Sequence, residues 1–125
     1  MESLTETFFF DSYALIEVFK GSQNYEAYKE VRVITTYFNL YEAYYGIRRE
    51  KNEEEGDEFF KEIKNFCIPL KFDWIKEATN FRLSKKKEDL SYVDCLGYII
   101  AKDMRIKFLT GDKQFKDLPN VEFVK

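Results

Sequence analysis

The sequence predicts one α/β domain: a three-layer α/β/α sandwich built on a mainly parallel central sheet. Three observations predict it. Short β-favouring apolar runs alternate with stretches of helical periodicity along the whole chain. The chain has 125 residues, of which 45% are hydrophobic, enough for one compact domain with a sizeable core. No internal repeat, low-complexity tract or linker interrupts the alternation.

The elements follow in order. "TFFF", residues 7–10, is a short apolar run of the kind a buried parallel strand requires. Asp11 ends it. "SYALIEVFKG" then carries Ala14, Leu15, Val18 and Phe19 at helical spacing and closes on Gly21, a helix stop. Residues 24–30 have the pattern of a short amphipathic helix. "VRVITT", 31–36, reads as a second strand, and "YFNLYEAYYGIRREK" as a helix with Leu40, Ala43, Tyr44 and Ile47 inward. The charged stretch 49–58 reads as a solvated connection, since periodicity resumes directly with Phe59, Phe60, Ile63 and Phe66. "CIPL", 67–70, reads as a third strand near a sheet edge, because Pro69 cannot donate to a ladder. Residues 72–87 form a helix through Trp74, Ile75, Ala78, Phe81 and Arg82. "LSYVDCLGYIIAK", 90–102, is the next, with Val93, Leu96, Gly97, Ile100 and Ala101 on its apolar face. "IKFLT", 106–110, is a fourth strand, "GDKQF" a turn, and "NVEFV", 120–124, a last strand.

Composition narrows the chemistry. The chain contains no histidine, which removes Ser-His-Asp and Cys-His catalysis and most zinc sites. Its two cysteines, Cys67 and Cys95, lie far apart in apolar settings and read as free thiols packed as small hydrophobes. No apolar run reaches eighteen residues, so no membrane span is expected. The N-terminal "MESLTETFFF" lacks the basic region of a secretory leader, and a cytoplasmic protein is expected. The net charge of −3 identifies no partner, although "LSKKKED", 83–89, is either a local basic patch or a solvated helix end.

What remains is carboxylate chemistry. In an open parallel sheet, sites form beyond the C-terminal ends of the strands. Asp11 follows the first strand and Asp112 the fourth. Asp94 enters a helix beside its apolar face, where Ser91 and Asp94 also match a capping box and the helix dipole. Glu42 lies on the helix after the second strand, with Phe38, Asn39, Tyr45 and Gly46 rather than charged residues around it. Each acid alone has an ordinary structural reading, as a helix cap or a solvated glutamate. Grouping them is costly: two carboxylates about 4 Å apart repel by about 4 kcal/mol at an effective dielectric near 20. A bound cation offsets that cost, and an all-oxygen donor set selects a hard ion, Mg²⁺ or Mn²⁺. Such an ion suits phosphoryl chemistry.

Four segments, "FFFDSYALIE", "NLYEAYYG", "LSYVDCLGYIIA" and "FLTGDKQF", resemble the acidic motifs of PIN-domain ribonucleases, above all those of the VapC toxins of toxin–antitoxin pairs. The order, the strand-then-acid contexts and the length match, and the likeness covers nearly the whole chain, so residues 1–125 are read as one PIN domain. The resemblance implies metal-binding acids at Asp11, Glu42, Asp94 and Asp112, with supporting hydroxyls at Ser12 and Thr110. Asn39, on the segment leading to Glu42, is a further supporting residue. Many members carry another aspartate where this chain has Gln114. The resemblance also implies cleavage of single-stranded RNA with Mg²⁺ or Mn²⁺, an antitoxin that blocks the site, and a homodimer. Tyr25, Tyr28, Tyr41 and Tyr44, on predicted surface helices, would serve that dimer, although the sequence alone equally allows them as core residues.

Two other readings compete. A phosphoacceptor receiver domain needs an aspartate at the end of its third strand, and "CIPLKF" offers none. A PIN-like module that only binds RNA or protein would be free to lose the four acids, which are all present.

Overall fold

The computed structural model describes residues 6–125; the N-terminal stretch read against a secretory leader lies partly outside them. Four strands form one fully parallel sheet: β1 (Thr7–Phe10), β2 (Arg32–Ile34), β3 (Lys107–Thr110) and β4 (Val121–Phe123), in the order β2-β1-β3-β4. β1 is central. Phe8 faces Val33 on one side and Lys107 on the other, and Phe10 faces Leu109.

Period-two alternation along β1 feeds two cores. Phe8 and Phe10 pack with Leu109 beneath α1 (Ser12–Lys20), α2 (Tyr37–Glu50) and α3 (Glu53–Ile63). Phe9 and Phe108 pack on the opposite face beneath α4 (Phe72–Ser84) and α5 (Tyr92–Met104). Both faces of β1 are therefore dry, which is why "FFF" is unbroken where a one-sided strand would alternate. α5 presses close to the sheet at Gly97: a Cβ there would lie 2.6 Å from the Phe9 ring and 3.0 Å from the Phe108 ring.

Three expected boundaries shift. "CIPL" makes one parallel bridge, Thr35 to Cys67, and does not extend into a strand. Ile68 N–H donates to the Thr35 carbonyl at 3.1 Å. Pro69 has no N–H, and beyond Thr35 the partner chain turns into α2, so the ladder has nothing to continue on. The solvated connection of 49–58 contracts to two residues. α2 runs to Glu50, and Asn52 caps α3 through a 2.8 Å bond from Glu55 N–H, with Glu53, Glu54 and Glu55 in the favourable first turn. Residues 23–28 form a 3₁₀ helix rather than an amphipathic α-helix, and Tyr25 is fully buried. Cys67 and Cys95 are unpaired, with Cys95 buried in the α4–α5 core. Among the described residues no helix is long and apolar enough to cross a membrane.

Candidate active site

The sheet places two acids at the C-terminal ends of adjacent central strands. Asp11 leaves β1 and caps α1: its Oδ1 accepts from Ala14 N–H at 2.7 Å. Its Oδ2 accepts from the Thr110 hydroxyl, at the end of β3, at 2.5 Å. The same Thr110 oxygen accepts from Asp112 N–H at 3.0 Å, which fixes the turn that carries Asp112. Asp112 then caps a short 3₁₀ turn through Gln114 N–H.

Glu42 is held from a third direction. Thr36 caps α2, and its hydroxyl donates to the Asn39 Oδ1 at 2.6 Å. Asn39 is buried, and its Nδ2 donates to Ser12 Oγ at 3.2 Å. Ser12 donates onward to Glu42 Oε1 at 2.6 Å. A carboxylate on an exposed helix position is thus tied to the turn that follows β1. Ser12, Asn39 and Thr110 all hold positions beside the acids. Thr36 was not singled out in the sequence, although a hydroxyl three residues before a side-chain amide is a near relative of the capping box.

Asp94 completes the group on α5. Ser91 is the cap, accepting from Asp94 N–H at 3.0 Å, so the Asp94 side chain is not needed to start the helix. Burial raises Asp94 to about 6, against the lowering effect of the Ser91 hydroxyl and with further upward pushes from Asp112 and Glu42. Burial also raises Asp11, 2% exposed, to about 7, while its bonds from Thr110 and Ala14 pull down and the charges of Asp94 and Asp112 push up. Asp94 therefore feels the charge of Asp112 and Glu42, and Asp11 that of Asp94 and Asp112.

They do not close into a finished cage: among the described residues no three carboxylates are gathered tightly enough to hold an ion. The reason lies in their partners. Asp11, Glu42 and Asp112 each give at least one oxygen to a protein donor. None of the four joins an ion pair among the described residues. The donor set is all oxygen, anionic and without a protein counter-charge, and so fits a hard divalent cation. Gln114 points elsewhere: its amide donates to the Glu88 carbonyl.

The family model for the PIN domain matches residues 8–121, and the chain belongs to that family. In fold it is similar to Mycobacterium tuberculosis VapC20, a Sarcin-Ricin loop cleaving toxin, with a TM-score of 0.74, 14% identity, and 94% of this chain and 99% of that one covered. It is also similar to a chain of VapBC2 from Rickettsia felis bound to a DNA fragment from their promoter (TM-score 0.71, 15% identity, 95% and 99% covered). A toxin–antitoxin complex from Klebsiella pneumoniae gives a TM-score of 0.70 at 19% identity, with 91% and 94% covered. No curated protein matches the chain by sequence.

Proposed function

We propose that the chain is a metal-dependent endoribonuclease that cleaves single-stranded RNA in the cytoplasm, as the toxin of a toxin–antitoxin pair. One observation carries this reading. The buried Asp11 sits at the end of the central strand, bonded to Thr110 and flanked by two further acids, none of them in an ion pair among the described residues. Such an arrangement is poor for stability and suited to a hard ion. Membership of the PIN family and likeness in fold to VapC toxins support the same reading.

Asp11, Glu42, Asp94 and Asp112 would hold Mg²⁺ or Mn²⁺. When bound, the ion supplies an activated water and neutralises charge on the scissile phosphate. The protein's part is positional. Thr110 and the Ala14 amide orient the Asp11 carboxylate, Ser12 fixes Glu42, and Ser91 relieves Asp94 of its capping duty. An antitoxin partner is proposed because the Klebsiella pneumoniae neighbour is a toxin–antitoxin complex. A homodimer through the N-terminal helices is proposed on Tyr41, with Tyr37 and Tyr45 exposed beside it on α2. Tyr25 cannot contribute, since it belongs to the core.

The test is incubation of an end-labelled single strand, and of its duplex, with the protein in EDTA and then with Mg²⁺ or Mn²⁺ restored. The expected result is internal cleavage of the single strand only, abolished by EDTA and recovered with metal. RNA left intact in every condition returns the chain to the alternative, a PIN-like module that binds RNA or protein without cutting.

A further inference from the structure

The turn that carries Asp112 contains one residue without a side chain. Gly111 lies between Thr110, whose hydroxyl bonds Asp11, and Asp112 itself. A Cβ at Gly111 would lie 2.3 Å from Cε1 of Tyr13, 2.6 Å from Cδ1 and 2.9 Å from Cζ. We infer that Tyr13 is a positioning residue: its ring, seated on Gly111, holds the Thr110–Asp112 turn and so sets where Asp112 stands relative to Asp11. The inference rests on the metal-dependent ribonuclease reading and adds to that site a residue outside the acids and their hydrogen bonds.

Contact is the first argument. All three ring carbons stand well inside the separation of about 3.5–4.0 Å at which carbon atoms attract. The ring and any side chain at position 111 therefore exclude each other. The backbone gives glycine no other reason to be there, because among the described glycines only Gly21 has a positive φ. Gly111 also makes no hydrogen bond among the described residues. The turn is bonded on either side of Gly111, and at Gly111 it is held by packing.

Support is the second. Tyr13 stands in the first turn of α1, two residues after Asp11, so ring and carboxylate share one helix start. Tyr25 packs edge-on against it, with ring centroids 6.1 Å apart at 63°. Tyr25 is buried, and its hydroxyl donates to the Val124 carbonyl at 2.6 Å. Val124 N–H in turn donates to the Thr110 carbonyl at 2.9 Å. The path from Tyr13 through Tyr25 and Val124 thus returns to the residue before Gly111. The ring cannot retreat without disturbing a chain of contacts that ends on the same turn.

The third argument is the hydroxyl. Those of Tyr25, Tyr28, Tyr44 and Tyr98 donate to protein acceptors, and that of Tyr13 does not among the described residues. The site uses the ring, which phenylalanine supplies equally.

The test titrates the metal-free full chain with Mn²⁺, well below the melting midpoint of each variant, and reads free Mn²⁺ by electron paramagnetic resonance. Tyr13→Ala should weaken Mn²⁺ binding about tenfold or more, as loss of a residue that orients a metal ligand does. Tyr13→Phe should bind as wild type does. Gly111→Ala should weaken binding like Tyr13→Ala, but added to Tyr13→Ala, where the ring is gone, it should change affinity by less than about threefold. Phe59→Leu, in the core beneath α3 and against Phe19, is the control: it should lower the melting midpoint and leave Mn²⁺ affinity unchanged. Wild-type affinity in Tyr13→Ala overturns the inference, and so does a Tyr13→Phe as weak as Tyr13→Ala, which would assign the role to the hydroxyl. A Phe59→Leu that loses as much affinity overturns it too, since lost stability would then explain the whole effect. Gly111→Ala keeps the test decisive where Tyr13→Ala does not fold, because unchanged Mn²⁺ affinity in it is equally fatal. A wild type that takes up no Mn²⁺ sinks the metal reading and this inference together. One that binds Mn²⁺ but never cuts RNA sinks the ribonuclease reading alone and leaves the role of Tyr13 standing.

Discussion

At the residue scale, Asp94 separates a structural from a catalytic role. Ser91 already caps α5, so the carboxylate is not required to start the helix. Asp94→Asn should retain the fold, lose cleavage, and be as stable as wild type or more so in EDTA, since one charge fewer repels Asp112 and Glu42. It should also gain less from Mn²⁺, where saturation at about 100 times the dissociation constant adds about 2.7 kcal/mol to a site that binds fully. Melting curves with and without Mn²⁺, beside an RNA cleavage assay, check all three outcomes; an active variant with an undiminished Mn²⁺ shift contradicts them. Where the acids sit along the chain was legible in the sequence: Asp11 and Asp112 follow strands, Asp94 lies beside an apolar helix face, and Glu42 has uncharged neighbours on α2. What the sequence did not carry is their wiring. Thr36, Asn39, Ser12 and Glu42 form one hydrogen-bonded chain that joins residues twenty-seven and thirty positions apart, and no periodicity encodes such a path.

At the scale of elements, α5 is set against the sheet by a missing side chain. A methyl at Gly97 would enter the Phe9 and Phe108 rings, which are both fully buried and have nowhere to turn. Overpacking of this kind costs about 1–3 kcal/mol, against a helix-propensity gain of about 1 kcal/mol. Gly97→Ala should therefore lower the denaturation midpoint, and urea titration should show the change without a change in slope. The strands and long helices were readable because their periodicity is strong. The errors fell where tertiary context decides: at "CIPL", which has one backbone partner and then none, and at 49–58, where Asn52 and three glutamates form a helix start within a charged run.

At the scale of the whole molecule, the site trades stability for charge. Asp11 in the folded chain is raised from 3.8 to about 7, chiefly by burial, so the fold prefers its protonated form. That preference is satisfied below about pH 4. It is lost as the pH climbs from about 4 to about 7, where the unfolded chain ionises freely and the folded one does so at a cost. Asp11→Asn keeps a good cap for α1 and cannot titrate. Metal-free wild type should therefore lose stability relative to Asp11→Asn over that range, by up to about 4 kcal/mol, at about 1.4 kcal/mol per pKa unit. Mn²⁺ at pH 7.5 should restore most of the difference; paired melts from pH 4 to pH 8 measure it, and a flat difference refutes it. The Asp11–Thr110 bond has a consequence in time as well. It spans 99 positions of sequence, so the loop it closes is nearly the length of the domain. Contacts of that separation form late and slow the folding of a chain. An emerging or truncated polypeptide that lacks β3 has Asp11, Glu42 and Asp94 but neither the hydroxyl that orients the first nor Asp112 beside it. The acidic centre is thus a property of the finished fold alone, and on the ribonuclease reading a chain that ends before β3 should fail to cleave RNA in the assay described above.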